Sequence, residues 1–295
     1  MGLQEGLFKT ALKPLGVTVT PTAFNAGPDA ITALFAGSLD ITYIGPNPTI
    51  NAYAQSKGAA VKVIAGAASG GAALVVRPEI TDAAGLKGKN IASPQLGNTQ
   101  DVALRYWLQE QGLSSTTEGG GDVSIKPQAN AEGLAAYSAG SIDGAWVPEP
   151  WVSEYVKAGA KVLVNEKDLW PDGKFVTTNI IVRTEFLNQH PDIVTAVLEG
   201  HLAALDAIAK DPAAAKAVNV CHKTATSAAG TYFAATYKSF KTCADAVFTC
   251  VQLKSSDPAC MPKATAKCGK NAARRDALAA KLAATIEGKC QEGEV

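Results

Sequence analysis

The sequence contains an internal repeat in which residues 27–48 align without a gap with residues 130–151. Each copy has the pattern of a helix, an Ala-Gly-Ser-(Leu/Ile)-Asp turn and an apolar strand that ends in a proline-rich loop, and Tyr43 of the first copy aligns with Trp146 of the second. The alternative is chance, because Ala-Gly turns recur easily in an alanine-rich chain. The repeat favours two lobes of similar topology.

Short apolar strands alternate with helices through the first 220 residues. We expect strands at 17–24, 40–45 and 90–93 and helices at 98–112 and 191–210, among others. Strict β/α alternation predicts an α/β fold with mostly parallel sheets covered by helices. In such sheets, ligands bind beyond the carboxyl ends of the strands.

Composition excludes several classes of function. The chain has 295 residues, of which 47% are hydrophobic and 18% charged, and its formal net charge is zero. Bulk charge therefore gives no indication of nucleic-acid binding, and no apolar run approaches the roughly 18 residues of a membrane span. The first residues do not have the pattern of a signal peptide, which is a basic segment followed by an apolar one.

The candidate binding loops follow the predicted strands at 44–49, 67–73, 93–101 and 147–151. They are rich in glycine and in neutral hydroxyl and amide groups, and a loop that precedes a helix offers free N–H groups and a dipole that favours an anion. Each candidate has a structural alternative: a helix cap, an interstrand turn, a hinge brace or plain packing. The candidate residues are Asn47, Ser69, Gly70, Gly97, Asn98, Thr99, Glu149 and Trp151.

The first 220 residues are poor in catalytic signals. They contain no cysteine and two histidines, His190 and His201. The nucleophile motif G-x-S-x-G, the zinc motif H-E-x-x-H and the phosphate-binding loop motifs are all missing from this region. We therefore expect a protein without enzymatic activity, cofactor or metal.

Several separated segments resemble one family in the same order: "AGAASGGAALVVR", "GLKGKNIASPQLGNTQDVALRYWL" and "AWVPEPWVSEYV". Residues 2–219 are similar to the solute-binding proteins of nitrate/sulfonate/taurine-type ABC importers, most closely to the aliphatic-sulfonate binders. The resemblance implies a two-lobed type II periplasmic binding-protein fold that closes on one small anionic solute. Lobe 1 would comprise 1–79 and 179–219, and lobe 2 would comprise 80–178.

The resemblance also implies partners and a location. The partners would be a small anionic solute and an ABC permease. The pocket would draw on six of the candidates above, which are Asn47, Ser69, Gly70, Asn98, Thr99 and Glu149. The protein would be a periplasmic or extracellular monomer. This chain starts inside the helix that follows the family's first strand, so a truncated lobe that no longer binds is one alternative. A desulfinase-like enzyme is another, disfavoured because those enzymes use a cysteine that the lobes lack.

All six cysteines lie in the last quarter of the chain. Asp257 and Pro258 indicate the start of a second helix, so 220–295 predicts an all-α, disulfide-stapled helical hairpin. Partners in an antiparallel hairpin have a constant index sum, which favours one nested order among the 15 possible connectivities. The alternatives are metal binding, although the C-x₂₋₄-C spacing of zinc sites is absent, and a reduced helix pair. The predicted pairs are Cys221–Cys290, Cys243–Cys268 and Cys250–Cys260.

Overall fold

A computed structural model describes residues 2–211, 236, 238–239, 241–247, 249–250 and 257–287. The chain divides into two compact units, Thr20–Thr195 and the combination of Met1–Val19 with Ala196–Val295. The α-helices are α1 Leu7–Leu12, α2 Gly27–Phe35, α3 Pro46–Gln55, α4 Thr99–Glu110, α5 Asn130–Ser138, α6 Trp151–Lys157, α7 Thr184–Gln189, α8 Pro191–Lys210 and α9 Cys260–Glu287. No helix among the described residues is both long and apolar enough to cross a membrane.

The unit Thr20–Thr195 contains two sheets. The strands are β1 Ile41–Ile44, β2 Val61–Ser69, β3 Ala72–Val76, β4 Asn90–Ser93, β5 Ser124–Pro127, β6 Gly144–Pro148, β7 Lys161–Asn165 and β8 Val176–Arg183. The first sheet has the order β1-β8-β2 and is antiparallel throughout. The second has the order β5-β4-β6-β3-β7, in which β4 runs parallel to β5 and β6 while β3 runs antiparallel to β6 and β7. The result is a mixed α/β architecture.

The expectation of mostly parallel sheets is wrong. The chain passes from the first sheet to the second between β2 and β3, and it returns between β7 and β8. The strands that receive these crossings, β3 and β8, lie inside the sheets and run opposite to their neighbours. Because β3 belongs to the second sheet, the crossings occur near residues 70 and 175, whereas the sequence placed the lobe boundaries at 79 and 178. The division into lobes stays a prediction.

The predicted strand at 17–24 is also wrong. These residues form no strand, and most of their side chains are exposed. A strand needs a hydrogen-bonded neighbour, and the described residues offer none here. The loop predicted at 44–49 is shorter than expected because α3 already begins at Pro46, a position where proline fits well. Asn47 therefore lies in the first turn of a helix.

The two copies of the repeat fold alike. Helix α2 and strand β1 correspond to α5 and β6 along the aligned segments. In the turn between helix and strand, the Ser38 hydroxyl donates to the carbonyl of Ala33 at 3.0 Å, and the Ser141 hydroxyl donates to that of Ala136 at 3.0 Å. The two copies of the repeat therefore share their secondary structure and also this hydrogen bond in the turn.

Each sheet has its own core. One face of the second sheet packs against α4 through Leu104, Trp107 and Trp146, and the other packs against α5 and α6 through Tyr137 and Tyr155. The first sheet has a smaller core of residues that α2, α3 and the strands contribute: Ala30, Ile31, Leu34, Ile44, Ala52, Val61 and Ile181. Burial of these side chains, at about 25 cal/mol per Å² of apolar surface, holds the sheets to their helices.

The other unit brings the chain start and the C-terminal segment together. A Cβ atom on Gly200 of α8 would lie 2.8 Å from the Phe8 ring of α1, so the glycine permits their close approach. In the hairpin, Cys243 is bonded to Cys268 and Cys250 to Cys260, which are the two inner pairs of the predicted nested order. The predicted pair Cys221–Cys290 lies outside the described residues.

Candidate functional site

Seven of the eight candidate residues follow or precede strands at one edge of the second sheet. Because β4 is parallel to β5 and β6, the loops that follow these three strands leave the sheet at the same edge. Strand β3 is antiparallel, and Ala72 at its start pairs with Pro148 at the end of β6, so the segment that enters β3 lies at this edge too. The Glu149 N–H donates to the Gly71 carbonyl at 2.6 Å across this edge.

The loop between β4 and α4 is held by one buried carboxylate. Asp101 is 1% exposed, and it accepts hydrogen bonds from the Ser93 hydroxyl at 2.7 Å and the Gly97 N–H at 3.0 Å. The Arg105 Nε donates to the same carboxylate at 2.9 Å and compensates its charge. Asp101 is therefore a positioning residue for this loop, a role that the sequence pattern did not indicate.

Asn98 serves as the N-terminal cap of α4. Its Oδ1 accepts from the Asp101 N–H at 2.8 Å, and its Nδ2 donates to Gln100 Oε1 at 3.2 Å. The Gly97 backbone has a φ of 77°, which places it in the left-handed region that favours glycine. Both groups of the Asn98 amide therefore have partners within the helix start, as the helix-cap alternative supposes.

Thr99, in contrast, presents an unpartnered hydroxyl. The residue is 7% exposed, and its Oγ1 is buried without a hydrogen-bond partner. A Cβ atom on Gly45 would lie 2.2 Å from this oxygen, so only glycine permits the observed approach. Gly45 caps α3 and Thr99 begins α4, so the N-termini of two helices meet at this hydroxyl. An anion at this point would be favoured by both helix dipoles and would accept a hydrogen bond from the Thr99 hydroxyl.

The loops of the two sheets contact each other around this point. The Asn25 Nδ2 donates to the Pro94 carbonyl at 3.1 Å, and the Gln95 Nε2 donates to Asp29 at 2.8 Å. Asn47 is half-buried in the first turn of α3, two residues beyond Gly45. Asn47 lies in the helix that follows β1 of the first sheet, and Thr99 lies in the helix that follows β4 of the second sheet. The structure therefore brings both residues to the same pair of helix N-termini.

Ser69 and Gly70 form one of the two chain crossings between the sheets. The Ser69 hydroxyl donates to the Phe175 carbonyl at 2.8 Å, and the Gly70 N–H donates to the same oxygen at 3.1 Å. The Thr177 hydroxyl in turn donates to the Gly70 carbonyl. Gly70 and Gly71 have φ values of 78° and 76°. These bonds tie the two crossings together, and a ligand role for Ser69 or Gly70 stays a prediction.

Glu149 and Trp151 lie at the start of α6. Both carboxylate oxygens of Glu149 accept from Ser153, at 2.9 Å and 3.1 Å from its hydroxyl, and the Ser153 N–H adds a bond of 3.2 Å. The Glu149 side chain nevertheless remains exposed. Trp151 is half-buried and packs against the cluster that contains Val152 and Tyr155, which matches the packing alternative for this residue.

A group of buried polar atoms at the same edge was missed. Gln128 Nε2, Asn130 Oδ1 and Tyr155 Oη are buried without a partner. A Cβ atom on Gly133 would lie 2.8 Å from the Tyr155 hydroxyl and 3.8 Å from Gln128 Nε2, so these two atoms lie against α5, the helix that Asn130 begins. Burial raises the pKa of the Tyr155 phenol, which therefore remains a neutral donor. At the offset of the repeat, Gln128 aligns with Asn25, which lies two residues before the first copy.

The site is lined by polar groups. Its unpartnered groups are neutral amides and hydroxyls, and no group of three or more histidine, cysteine or acidic side chains able to hold a metal ion occurs in the described part of the chain. The arrangement is suited to holding a small anion through N–H and hydroxyl groups in a partly desolvated position.

The sequence model of the NMT1-like family matches residues 1–222. The taurine-binding periplasmic protein of Escherichia coli (strain K12) is 31% identical over 190 residues, which cover 63% of this chain and 56% of that protein. The chain thus spans little more than half the length of the relatives it matches.

Solved structures show the same fold. The alkanesulfonate-binding protein SsuA from Xanthomonas axonopodis pv. citri bound to MOPS has a TM-score of 0.60 and 24% identity, covering 72% of this chain and 70% of that chain. The periplasmic nitrate-binding protein NrtA from Synechocystis PCC 6803 has a TM-score of 0.56 and 19% identity, covering 69% and 56%. At these identities the likeness concerns the fold.

Proposed function

Because this chain belongs to the NMT1-like family, we propose that it is the solute-binding component of an ABC importer for a small oxyanion. An aliphatic sulfonate is the favoured solute, with taurine or nitrate as the other members of the class. The protein would act outside the cytoplasm without catalysing a reaction, and it would deliver its solute to a membrane permease. The disulfides of the C-terminal hairpin agree with an oxidising compartment.

One observation carries the proposal: the buried Thr99 hydroxyl has no partner where two helix N-termini meet. An unsatisfied buried hydroxyl costs on the order of 1–3 kcal/mol. A bound oxyanion would accept a hydrogen bond from this group and from the N–H groups of the helix starts. The relatives named above are described as binding taurine, alkanesulfonate or nitrate, all small oxyanions.

The test is isothermal titration and thermal unfolding with taurine, ethanesulfonate and nitrate. A bound anion should raise the melting temperature by mass action. The substitution Thr99→Val removes the hydroxyl with little change in shape, and it should weaken anion binding about 10-fold to 100-fold, since a hydrogen bond to a charged group contributes roughly 1.5–3 kcal/mol.

The matched control is Thr184→Val. The Thr184 hydroxyl is also buried and unpartnered, but this residue begins α7 beyond the opposite end of β8. T184V should leave anion affinity unchanged. If no anion of the panel shifts the melting temperature, or if T99V binds as tightly as T184V, the proposed function is contradicted.

Glu149 gives a finer test of the solute. Taurine carries an ammonium group that ethanesulfonate lacks, and an exposed carboxylate at the edge of the site could pair with it. We expect Glu149→Gln to weaken taurine binding about tenfold and to leave ethanesulfonate binding unchanged. Equal losses for both anions would indicate that Glu149 only braces α6 through Ser153.

A further inference from the structure

Helix α9 carries a stripe of basic side chains on one face. Its sequence contains six basic and two acidic residues, although the whole chain has 27 of each. At 100° per residue, four of the basic residues lie within an arc of about 60° and extend over about 17 Å of helix. This basic stripe consists of Lys263, Lys267, Lys270 and Arg274, all of which are exposed.

The described residues of the hairpin that contact α9 lie beside the basic stripe, whose four side chains are exposed. Cys268 is bonded to Cys243, and Asn271 Nδ2 donates to the Ser239 carbonyl at 3.3 Å, so the neighbouring helical segment lies to one side of α9. Ala264 is buried on that same side. The acidic residue Asp276 falls on the half of α9 opposite the stripe, so it does not neutralise the stripe.

We propose that the basic stripe binds the surface of an anionic phospholipid membrane. Three of its four members are lysines, which act as mobile point charges and are depleted in protein–protein interfaces. Helix α9 contains no aromatic residue that could stack on bases or anchor a protein interface. A row of point charges without an apolar or aromatic anchor fits a diffuse layer of phosphate headgroups better than a specific partner.

The disulfides support this choice of partner. They hold the hairpin together and are typical of an oxidising compartment, where membrane headgroups are the abundant anionic surface and nucleic acids are not. This step rests on the extracytoplasmic location in the proposed function. Binding to the membrane surface would keep a solute-binding protein close to a membrane permease without a membrane-spanning segment.

The test is co-sedimentation of the full oxidised chain with vesicles of phosphatidylcholine containing one third phosphatidylglycerol. Each basic residue near such a surface contributes about fivefold to partitioning, so the triple substitution K267Q/K270Q/R274Q should weaken binding about 100-fold. Binding should vanish on pure phosphatidylcholine and in about 1 M salt, where screening is nearly complete. A chain with K267R/K270R should bind as the unchanged protein does.

The matched control is the triple substitution K9Q/K126Q/K174Q, which changes net charge equally at exposed positions elsewhere. It should retain binding. Equal loss in both triples, no binding of the unchanged chain to the acidic vesicles, or retention by double-stranded DNA in place of the vesicles would overturn the proposal. Vesicle binding needs no solute, so a stripe variant that keeps its taurine-induced thermal shift separates this proposal from the proposed function.

Discussion

Strands β1 and β6 occupy equivalent places in the repeat but have different surroundings. Each follows its helix and an Ala-Gly-Ser turn, and each pairs with an antiparallel neighbour, Ile41 with Val182 in one sheet and Gly144 with Val76 in the other. Strand β6 also pairs with β4 on its other side and is buried almost throughout, whereas β1 lies at the edge of a three-stranded sheet. The same local sequence pattern therefore produces a central strand in one place and an edge strand in another.

The aligned aromatic residues show the consequence. Trp146 is fully buried, packs against Trp107 with ring centroids 6.2 Å apart and donates to Glu166 at 2.7 Å. Tyr43 at the matching position is 45% exposed. The two aromatic residues hold the same place in their strands, yet the one in the central strand is buried and the one in the edge strand is partly exposed.

The largest expected difference lies at this pair. Trp146→Ala should destabilise the protein by about 3–5 kcal/mol, because it removes a fully buried ring and one of the hydrogen-bond donors to the Glu166 carboxyl. Tyr43→Ala should cost about 1 kcal/mol, as is usual for partly exposed positions. Urea unfolding followed by circular dichroism measures both values. Similar losses for the two variants would show that the first sheet is as well covered as the second.

A smaller difference is expected at the aligned aspartates of the turns. Asp143 accepts the Asn90 N–H at 2.9 Å, and Asp40 pairs with Arg183 Nη2 at 2.8 Å while remaining more exposed. Asp143→Ala should cost about 1–3 kcal/mol because it leaves a backbone N–H of β4 unpaired. Asp40→Ala should cost about 0.2–1 kcal/mol, the range of exposed ion pairs.

The same unfolding measurement in about 1 M salt sharpens this contrast. Screening should reduce the Asp40 effect further and leave the Asp143 effect nearly unchanged. A salt-sensitive loss at Asp143 would mean that Asp143 acts through Lys89, 3.7 Å away, and not through the backbone.

The local sequence pattern predicted most of the helices and strands. It could not predict which strands pair with each other in the sheets. Pro191 and the helical spacing after it located α8 as the structure has it, and Asn98 was recognised as a helix start. The segment 17–24 has the composition of a strand, but strand formation depends on a neighbour that is distant in sequence. Pattern alone also could not show that β3 enters the second sheet.

The candidate site shows the same limit at the level of atoms. The sequence predicts an anion site at the loop 97–99, but it could not tell Asn98, whose amide is used in the cap, from Thr99, whose hydroxyl is unpartnered. That distinction depends on the approach of Gly45 from another sheet. Gln128 and Tyr155 were missed because an unsatisfied atom is defined by its three-dimensional neighbours.

The smallest expected effect concerns Glu166, the partner of Trp146 in the second sheet. Glu166 is 2% exposed, and burial raises the pKa of its carboxyl, although hydrogen bonds from Trp146 and Trp170 oppose the shift. Because the folded protein binds this proton more tightly than the unfolded chain, the contribution of Glu166 to stability falls as pH rises through the window between the two pKa values. Above that window, Glu166 is charged in the folded protein, and the whole cost of burying this charge lowers the free energy of unfolding.

Glu166→Gln keeps an acceptor for the Trp146 N–H and removes the charge. We expect this variant to be at least as stable as the unchanged protein at neutral pH, with the difference shrinking as pH falls towards about 4.5, the value of an unperturbed glutamate. Urea unfolding between pH 5 and pH 8 measures the slope, and Glu132→Gln on the exposed face of α5 controls for net charge. A variant that loses stability at neutral pH would show that Glu166 is stabilised as a carboxylate by its two tryptophan donors. In that case the two hydrogen bonds would outweigh the desolvation of the buried carboxylate, and the pKa direction would be reversed.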